Sequence, residues 1–203
     1  MKEKTRERLK RGQENGDAYC FTAIDPETKL MLCYHVGKRE ADDADWFCHK
    51  LASATSGHFQ VTTDGFKPYC TAMIEAFRWR IDFAQYIKLF QGGGQADARY
   101  SPGTIRRVAK RVRAGNPDPD KISTSIVERS NLTIRMTTRR MTRLTNAFSK
   151  LWDNHEAALA LFFMAYNFVT VHGTLKTTPA VAHGLTDHVW SVEELLGVLA
   201  KYA

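Results

Sequence analysis

Apolar and polar positions along the chain alternate in short runs divided by turn residues, and their periods predict strands and helices in succession. The run "AYCFTAID", residues 18 to 25, is compact and apolar and ends in an acid; "KLMLCYHVGKR" follows after the turn "PETK". Two β-prone runs joined through a Pro-containing turn predict a hairpin. The first strand is apolar on both faces, so it is expected inside a sheet rather than at an edge. "ADDADWFCHKLASAT", 41 to 55, predicts a helix opening with acids, the end of a helix that favours negative charge. "HFQVTTDG", 58 to 65, predicts a short strand with Asp64 at its end before a glycine. In "KPYCTAMIEAF", Tyr69, Met73 and Phe77 recur every four residues on one helical face, with Pro68 near the first turn. "IDFAQYIKLF", 81 to 90, alternates as a further strand.

The pattern breaks between "QGGGQADARYSPG" and "AGNPDPDKIST". Gly and Pro bracket "TIRRVAKRVR", read as a short basic helix, in a segment of about 30 residues, long for a plain connection. "STSIVERSNLTIRMTTRRMTRLTNAF", 123 to 148, reads as one long helix. "DNHEAALALFFMAYNFVTVH" is apolar nearly all round, which predicts a buried helix, with Asp153 and Glu156 at capping-box spacing. The remainder is turn-rich and closes on a short helix from about residue 191. Hairpin, helix, strand, helix, strand, helix describes an α/β sheet with helices packed on it. The chain therefore divides into a basic tail (1–17), an α/β domain (18–150, with 91–121 as a basic insertion) and a C-terminal helical extension (151–203) packed on the core.

Composition narrows the function. At 43% apolar and 25% charged, the chain has the make-up of a globular protein, and its net charge of +7 favours an acidic partner. No apolar run is long enough to span a bilayer, and the charged first 17 residues have no apolar core, so neither a membrane span nor a secretory signal is expected. Cys20, Cys33, Cys48 and Cys70 lack any C-x-x-C spacing, which favours reduced, mostly buried thiols in the cytoplasm.

Asp25 and Asp64 fall at or just past predicted strand ends, where ligands collect in open α/β sheets. Glu128 opens the basic helix. An α/β layout can bring the three together. Three ionised carboxylates repel one another, and a pair of hard divalent cations about 4 Å apart reverses that balance while clamping the oxygens of a phosphoryl transfer. Each acid also has a plainer use. Asp25-Pro26 is a turn opener, and for Asp25 alone that reading has the advantage. Asp64-Gly65 can equally be a strand-ending turn. Glu128 stands three residues after Ser125, so "SIVE" can be a capping box, and for Glu128 alone the cap has the advantage.

The surroundings of Glu128 shift the balance. Glu128, Asn131, Arg135 and Arg139 fall along one polar stripe of the predicted helix, while Ile134, Met141 and Leu144 face elsewhere, towards a core. Between 126 and 150, Arg129, Arg135, Arg139, Arg140, Arg143 and Lys150 stand against Glu128 as the only acid. A solvated structural helix usually mixes signs; a nearly uniform positive face suits phosphates. The segment before it adds Arg99, Arg106, Arg107, Lys110, Arg111, Arg113 and Lys121.

At these residues the sequence resembles a known family. "AIDPETKL", "VTTDG", "ISTSIVERSNLTIRMTTRRMTRLTNAFSK" and "YNFVTVHGTLKTTPA" look like the catalytic core of bacterial insertion-sequence transposases of the DDE type, over about residues 17 to 194. The resemblance implies an RNase H-like (integrase-type) fold, a five-stranded mixed sheet with flanking helices. It implies Asp25, Asp64 and Glu128 as catalytic acids holding two Mg²⁺ ions, with Mn²⁺ able to substitute. The implied chemistry is hydrolysis at a transposon end followed by attack of the freed 3′-OH on target DNA. Arg129, Asn131, Arg135, Arg139, Arg140 and Arg143, with Arg106, Arg107, Lys110 and Arg111, are expected to contact DNA; Tyr166, Asn167 and His172 are read as structural or DNA-proximal. The chain departs from the pattern at Ser130, where relatives carry Gln, and at Thr170, where they carry Arg. Relatives also carry an upstream recognition region, so a separate recognition domain or protein is an expected partner, along with transposon-end and target DNA and further copies of the chain. The expected location is cytoplasmic, at the nucleoid. The rivals are a catalytically silent, DNA-binding remnant that either inhibits the intact enzyme or has no role, an RNase H-type nuclease acting on RNA–DNA hybrids, and a purely structural α/β protein.

Overall fold

The computed structural model describes residues 18–91, 104–142, 146–147 and 149–201; the predicted tail, Arg99, Arg143 and Leu144 lie outside the described residues. The chain is mixed α/β and forms two compact units, one built from residues up to Arg39 and from Arg129 onward, the other from Glu40–Glu128.

In the first unit, β1 (Tyr19–Ile24) and β2 (Met31–Gly37) form the predicted hairpin, pairing antiparallel from Tyr19↔Gly37 to Ala23↔Cys33. The turn is closed by backbone bonds between Asp25 and Leu30 and from Lys29 to Asp25, with Lys29 at φ 61. Among the described residues β1 is hydrogen-bonded to β2, and of its side chains only Phe21 is buried, so the burial on both faces that its apolar composition predicts is not seen. Met31 and Val36 of the hairpin cluster with Leu159 and Phe163 of α4 (Trp152–Phe168) and with Ile134. Tyr34 and Phe163 add a ring contact at 4.5 Å. α4 buries only His155, Leu159 and Phe163 and leaves Leu161 49% exposed, so it is covered on one face and not all round. It begins at Trp152 after Leu151, which makes no side-chain cap, so the predicted Asp153/Glu156 capping box does not form. α5 (Pro179–His183) starts from a buried Thr178 whose hydroxyl accepts from Val181 N–H, and stops at Gly184 in the left-handed region. α6 (Val192–Ala200) closes the chain where a helix was expected.

In the second unit, α1 (Ala41–Ala54) carries Asp42 and Asp43 in its first turn and buries Ala44, Phe47, Cys48 and Leu51. β3 (Phe59–Thr63) leads through α2 (Tyr69–Phe77) to β4 (Ile81–Gln91), which pairs with β3 in parallel, from Phe59↔Ile81 to Thr63↔Gln85. A parallel pair needs such a crossover, and α2 supplies it while packing Met73 and Phe77 against the sheet side of Phe59 and α1.

Residues Thr104–Ala114, expected as a basic helix, are an eleven-residue strand, β5, antiparallel to β4. Ile105, Val108 and Val112 are spaced three and four apart, which fits a helix template, yet Val108, Lys110 and Val112 also alternate. The ladder to β4 settles the ambiguity, because tertiary pairing overrides local propensity. Gly115, at φ 65, then turns the chain where a Cβ would fall 2.0 Å from an Asp82 carboxylate oxygen. The five described strands thus form two ladders, β1-β2 and β3-β4-β5, where one five-stranded sheet was expected. One strand of the five comes from the segment read as helical.

The basic helix is also shorter than expected. α3 (Ser125–Thr137) ends at an extended Thr138, and a separate 3₁₀ turn, Arg139–Met141, follows. Thr133 and Thr137 return their hydroxyls to the carbonyls of Arg129 and Thr133, a back-bonding that weakens helix propagation. Ile134 is buried as predicted.

Candidate carboxylate site and basic surfaces

Asp25 stands one residue past β1 in the first unit. Its carboxylate accepts the backbone N–H groups of Glu27 (3.1 Å) and Thr28 (3.2 Å) and the Thr28 hydroxyl. Burial pushes its pKa up, but the Thr28 hydroxyl, the two N–H groups and the nearby His183 outweigh burial and hold it below the ordinary carboxylate value. His183, presented by the last turn of α5, places Nδ1 3.7 Å from Asp25 Oδ2 and 3.3 Å from Thr28 Oγ1. The Asp-Pro turn is therefore formed, and the acid that opens it is ionised. Thr28 and His183 were not anticipated. Thr28 had a signal, a hydroxyl three residues after an Asp; His183 is separated from Asp25 by most of the chain.

Asp64 and Glu128 belong to the second unit. Asp64 follows Thr63, which is level with Gln85 on β4. Its Oδ1 accepts from Phe66 N–H (3.0 Å), and its carbonyl accepts from the Gln85 amide (3.0 Å). Glu128 lies in the first turn of α3, and both of its oxygens receive the Lys88 ammonium, at 2.5 and 2.6 Å. Oε1 also accepts from the Thr124 hydroxyl at 2.7 Å. Burial raises the Glu128 pKa, and Lys88 and Thr124 more than offset it, so the group sits below its ordinary value. The predicted capping box is replaced by another arrangement. Ser125 is already inside the helix, and Glu128 spends its oxygens on a lysine from β4 and a side-chain hydroxyl.

Both acids of this unit thus sit beside the 85–88 stretch of β4. Asp64 is level with about residue 86, roughly 7 Å along the strand from Lys88. Within neither unit do three His, Cys, Asp or Glu side chains gather as a metal-binding group among the described residues. As donors the three acids fit a hard divalent cation: all are carboxylates, and the pKa of Asp25 and Glu128 is lowered by the surroundings. Glu128 already holds a cationic group between its two oxygens.

The basic residues fall in two places. Arg106, Arg107, Lys110 and Arg111 are exposed on β5, and Lys110 donates to the Pro119 carbonyl at 2.6 Å. In the first unit Arg129 and Arg135 are exposed on α3. Arg139 left the helical stripe when α3 ended; with Arg140, Lys150 and Asn154 it lines an open depression of about 510 Å³, where Arg140 donates to Ser149 Oγ at 2.9 Å. Asn131 is half-buried and accepts the Thr22 hydroxyl at 3.4 Å, so it ties α3 to β1. Asn167 clamps both backbone groups of Met31 at 3.0 Å, and Tyr166 donates to the Lys29 carbonyl at 3.1 Å. His172 bridges to Thr177 through its backbone.

No described helix is long and apolar enough to cross a membrane. Comparison of the chain with protein-family models, with curated proteins and with solved structures finds no match.

Proposed function

We propose that this chain is the catalytic domain of a DDE-type transposase with an RNase H-like, integrase-type core, which cleaves and joins DNA strands in transposition. Asp25, Asp64 and Glu128 are the residues assigned to holding two Mg²⁺ ions, or Mn²⁺ in their place. Bound there, the ions supply Lewis acidity for an attack of water or a 3′-OH on a phosphodiester. The chain's own groups prepare for it. Thr28 and the turn N–H groups keep the Asp25 carboxylate ionised and fixed in direction. Lys88 keeps the Glu128 carboxylate charged, the form in which it would hold a metal ion. Arg129, Arg135, Arg139 and Arg140 offer phosphates a positive surface with no protein nucleophile required. The partners proposed are transposon-end and target DNA, further copies of the chain, and a recognition module.

One observation carries the reading: the Glu128 carboxylate is held by Lys88 on β4, the strand that pairs with the β3 strand leading into Asp64, and the helix bearing Glu128 continues as a basic surface.

The test is nicking of supercoiled and linear duplex by the purified chain with Mg²⁺ or Mn²⁺. Asp25→Asn, Asp64→Asn and Glu128→Gln are each expected to lower nicking by about two orders of magnitude while binding persists. Binding without nicking by the unsubstituted chain favours the silent remnant, and cleavage confined to RNA–DNA hybrid favours an RNase H-type nuclease.

A further inference from the structure

β5 carries Arg106, Arg107, Lys110, Arg111 and Arg113 and no carboxylate. Its ladder with β4 is irregular in an informative way. Arg107 to Val112 pair one-to-one with Leu89 to Ala84, and the register shifts at either end leave Arg106 and Arg113 as the extra residues. Both bulges therefore fall on arginines.

The bulges sort the side chains by face. Val108, Lys110 and Val112 share a face with Ala84, Tyr86 and Lys88; Arg107, Ala109 and Arg111 share the other with Gln85, Ile87 and Leu89. Beyond the Arg106 bulge, Ile105 pairs with Phe90 and so joins the face of Val108; without the bulge it would join Arg107. Lys88 binds Glu128, so the acid is approached from the first face. Gln85 on the second face donates to the Asp64 and Phe66 carbonyls, and Ile87 lies against Gly65, so that face is the side of the β3–α2 connection.

We infer that the arginine face of β5 is a second duplex-binding surface, on the side of the sheet turned away from Glu128 and beside the β3–α2 connection that covers Gln85 of β4, gripping phosphates through Arg107 and Arg111 with Arg106 alongside. Charge complementarity identifies the occupant. All three arginines are exposed, and a second copy of the chain would set like charges against one another. Spacing agrees with a duplex. Arg107 and Arg111 are four strand residues apart, about 13 Å, close to the width of a major groove, about 12 Å. The two guanidiniums can then meet phosphates on its two lips. The inference rests on the proposed function, since it supposes that the acid side takes one duplex while the arginine side holds another.

The experiment counts short duplexes bound per chain at low salt by analytical ultracentrifugation, with the full chain and no metal. Two are expected for the unsubstituted chain, one for Arg107→Gln/Arg111→Gln, and two again for Arg107→Lys/Arg111→Lys, which keeps the charge. The single binding step left in the glutamine pair should keep the logarithmic salt slope of the first step in the unsubstituted chain, because the lost contacts, near about 0.9 in slope each, belong to the second. One duplex per chain in the unsubstituted protein, or two in the glutamine pair, overturns the inference and leaves the nicking assay to judge the proposed function separately. A chain that binds no duplex even at low salt overturns both.

Discussion

At Asp25 the carboxylate that ends β1 also builds the turn into β2, taking two backbone N–H groups and the Thr28 hydroxyl. An ionised carboxylate has about four acceptor sites, so closing a turn does not preclude binding a cation. The lowered pKa has a consequence for stability. Unfolded, the group titrates near about 3.9; folded, it titrates lower. Its contribution is therefore fully present above the unfolded value and drains away as pH falls through the folded one. Thr28→Val removes one donor and should cost roughly 0.5 kcal/mol at neutral pH, the low end for a hydrogen bond, because Asp25 is only half-buried and solvent screens the interaction. In urea titrations the gap between the two proteins should be widest above about pH 4 and close towards acid. A gap that stays constant down to the lowest pH would mean that Thr28 acts through packing and not through Asp25.

Among the elements, β5 separates two readings of one string of residues. Ala109 is level with Ile87 in the ladder. In a strand, Ala109→Val should be neutral or stabilising by up to about 0.5 kcal/mol, because β-branched side chains suit a half-covered pleat. In a helix the same change should cost about 0.5 kcal/mol. The sign of the shift in the urea midpoint decides between them. The elements legible in the sequence were those whose period had one interpretation: the hairpin around "PETK", the acid-led α1, and α2 with Met73 and Phe77 on one face. β5 was not legible, because Ile105, Val108 and Val112 satisfy helical spacing and its cations are good helix formers. The end of α3 was hidden for a related reason. Apolar residues continue past Thr137, while the threonine back-bonds that weaken the helix have no signature in period. For the site, the positions of Asp25 and Asp64 at strand ends followed from local pattern. The partner of Glu128 did not, since Lys88 comes from a strand 40 residues away and only the folded second unit joins them.

For the whole molecule the issue is whether a net charge of +7 or the placement of that charge governs binding to nucleic acid. Long-range attraction depends on the total, but counterion release depends on how many phosphates are neutralised at contact. The exposed cations of β5 and those of α3 and the turn after it are local surfaces with few acids among them. About five phosphate contacts would give a logarithmic slope near −4.5, or a loss of affinity of roughly 500-fold between about 50 and 200 mM salt. Two changes of equal charge can separate the explanations. Asp42→Asn with Glu193→Gln raises the net charge by two through exposed acids at the starts of α1 and α6; it should speed association at low salt and leave the slope unchanged. Arg129→Gln with Arg139→Gln lowers the net charge by two on the basic surfaces and should flatten the slope by about 1.8. Fluorescence anisotropy over a salt series measures both. Equal and opposite changes of slope in the two variants would show that total charge governs binding, and the arginine surfaces would then have no special part in it.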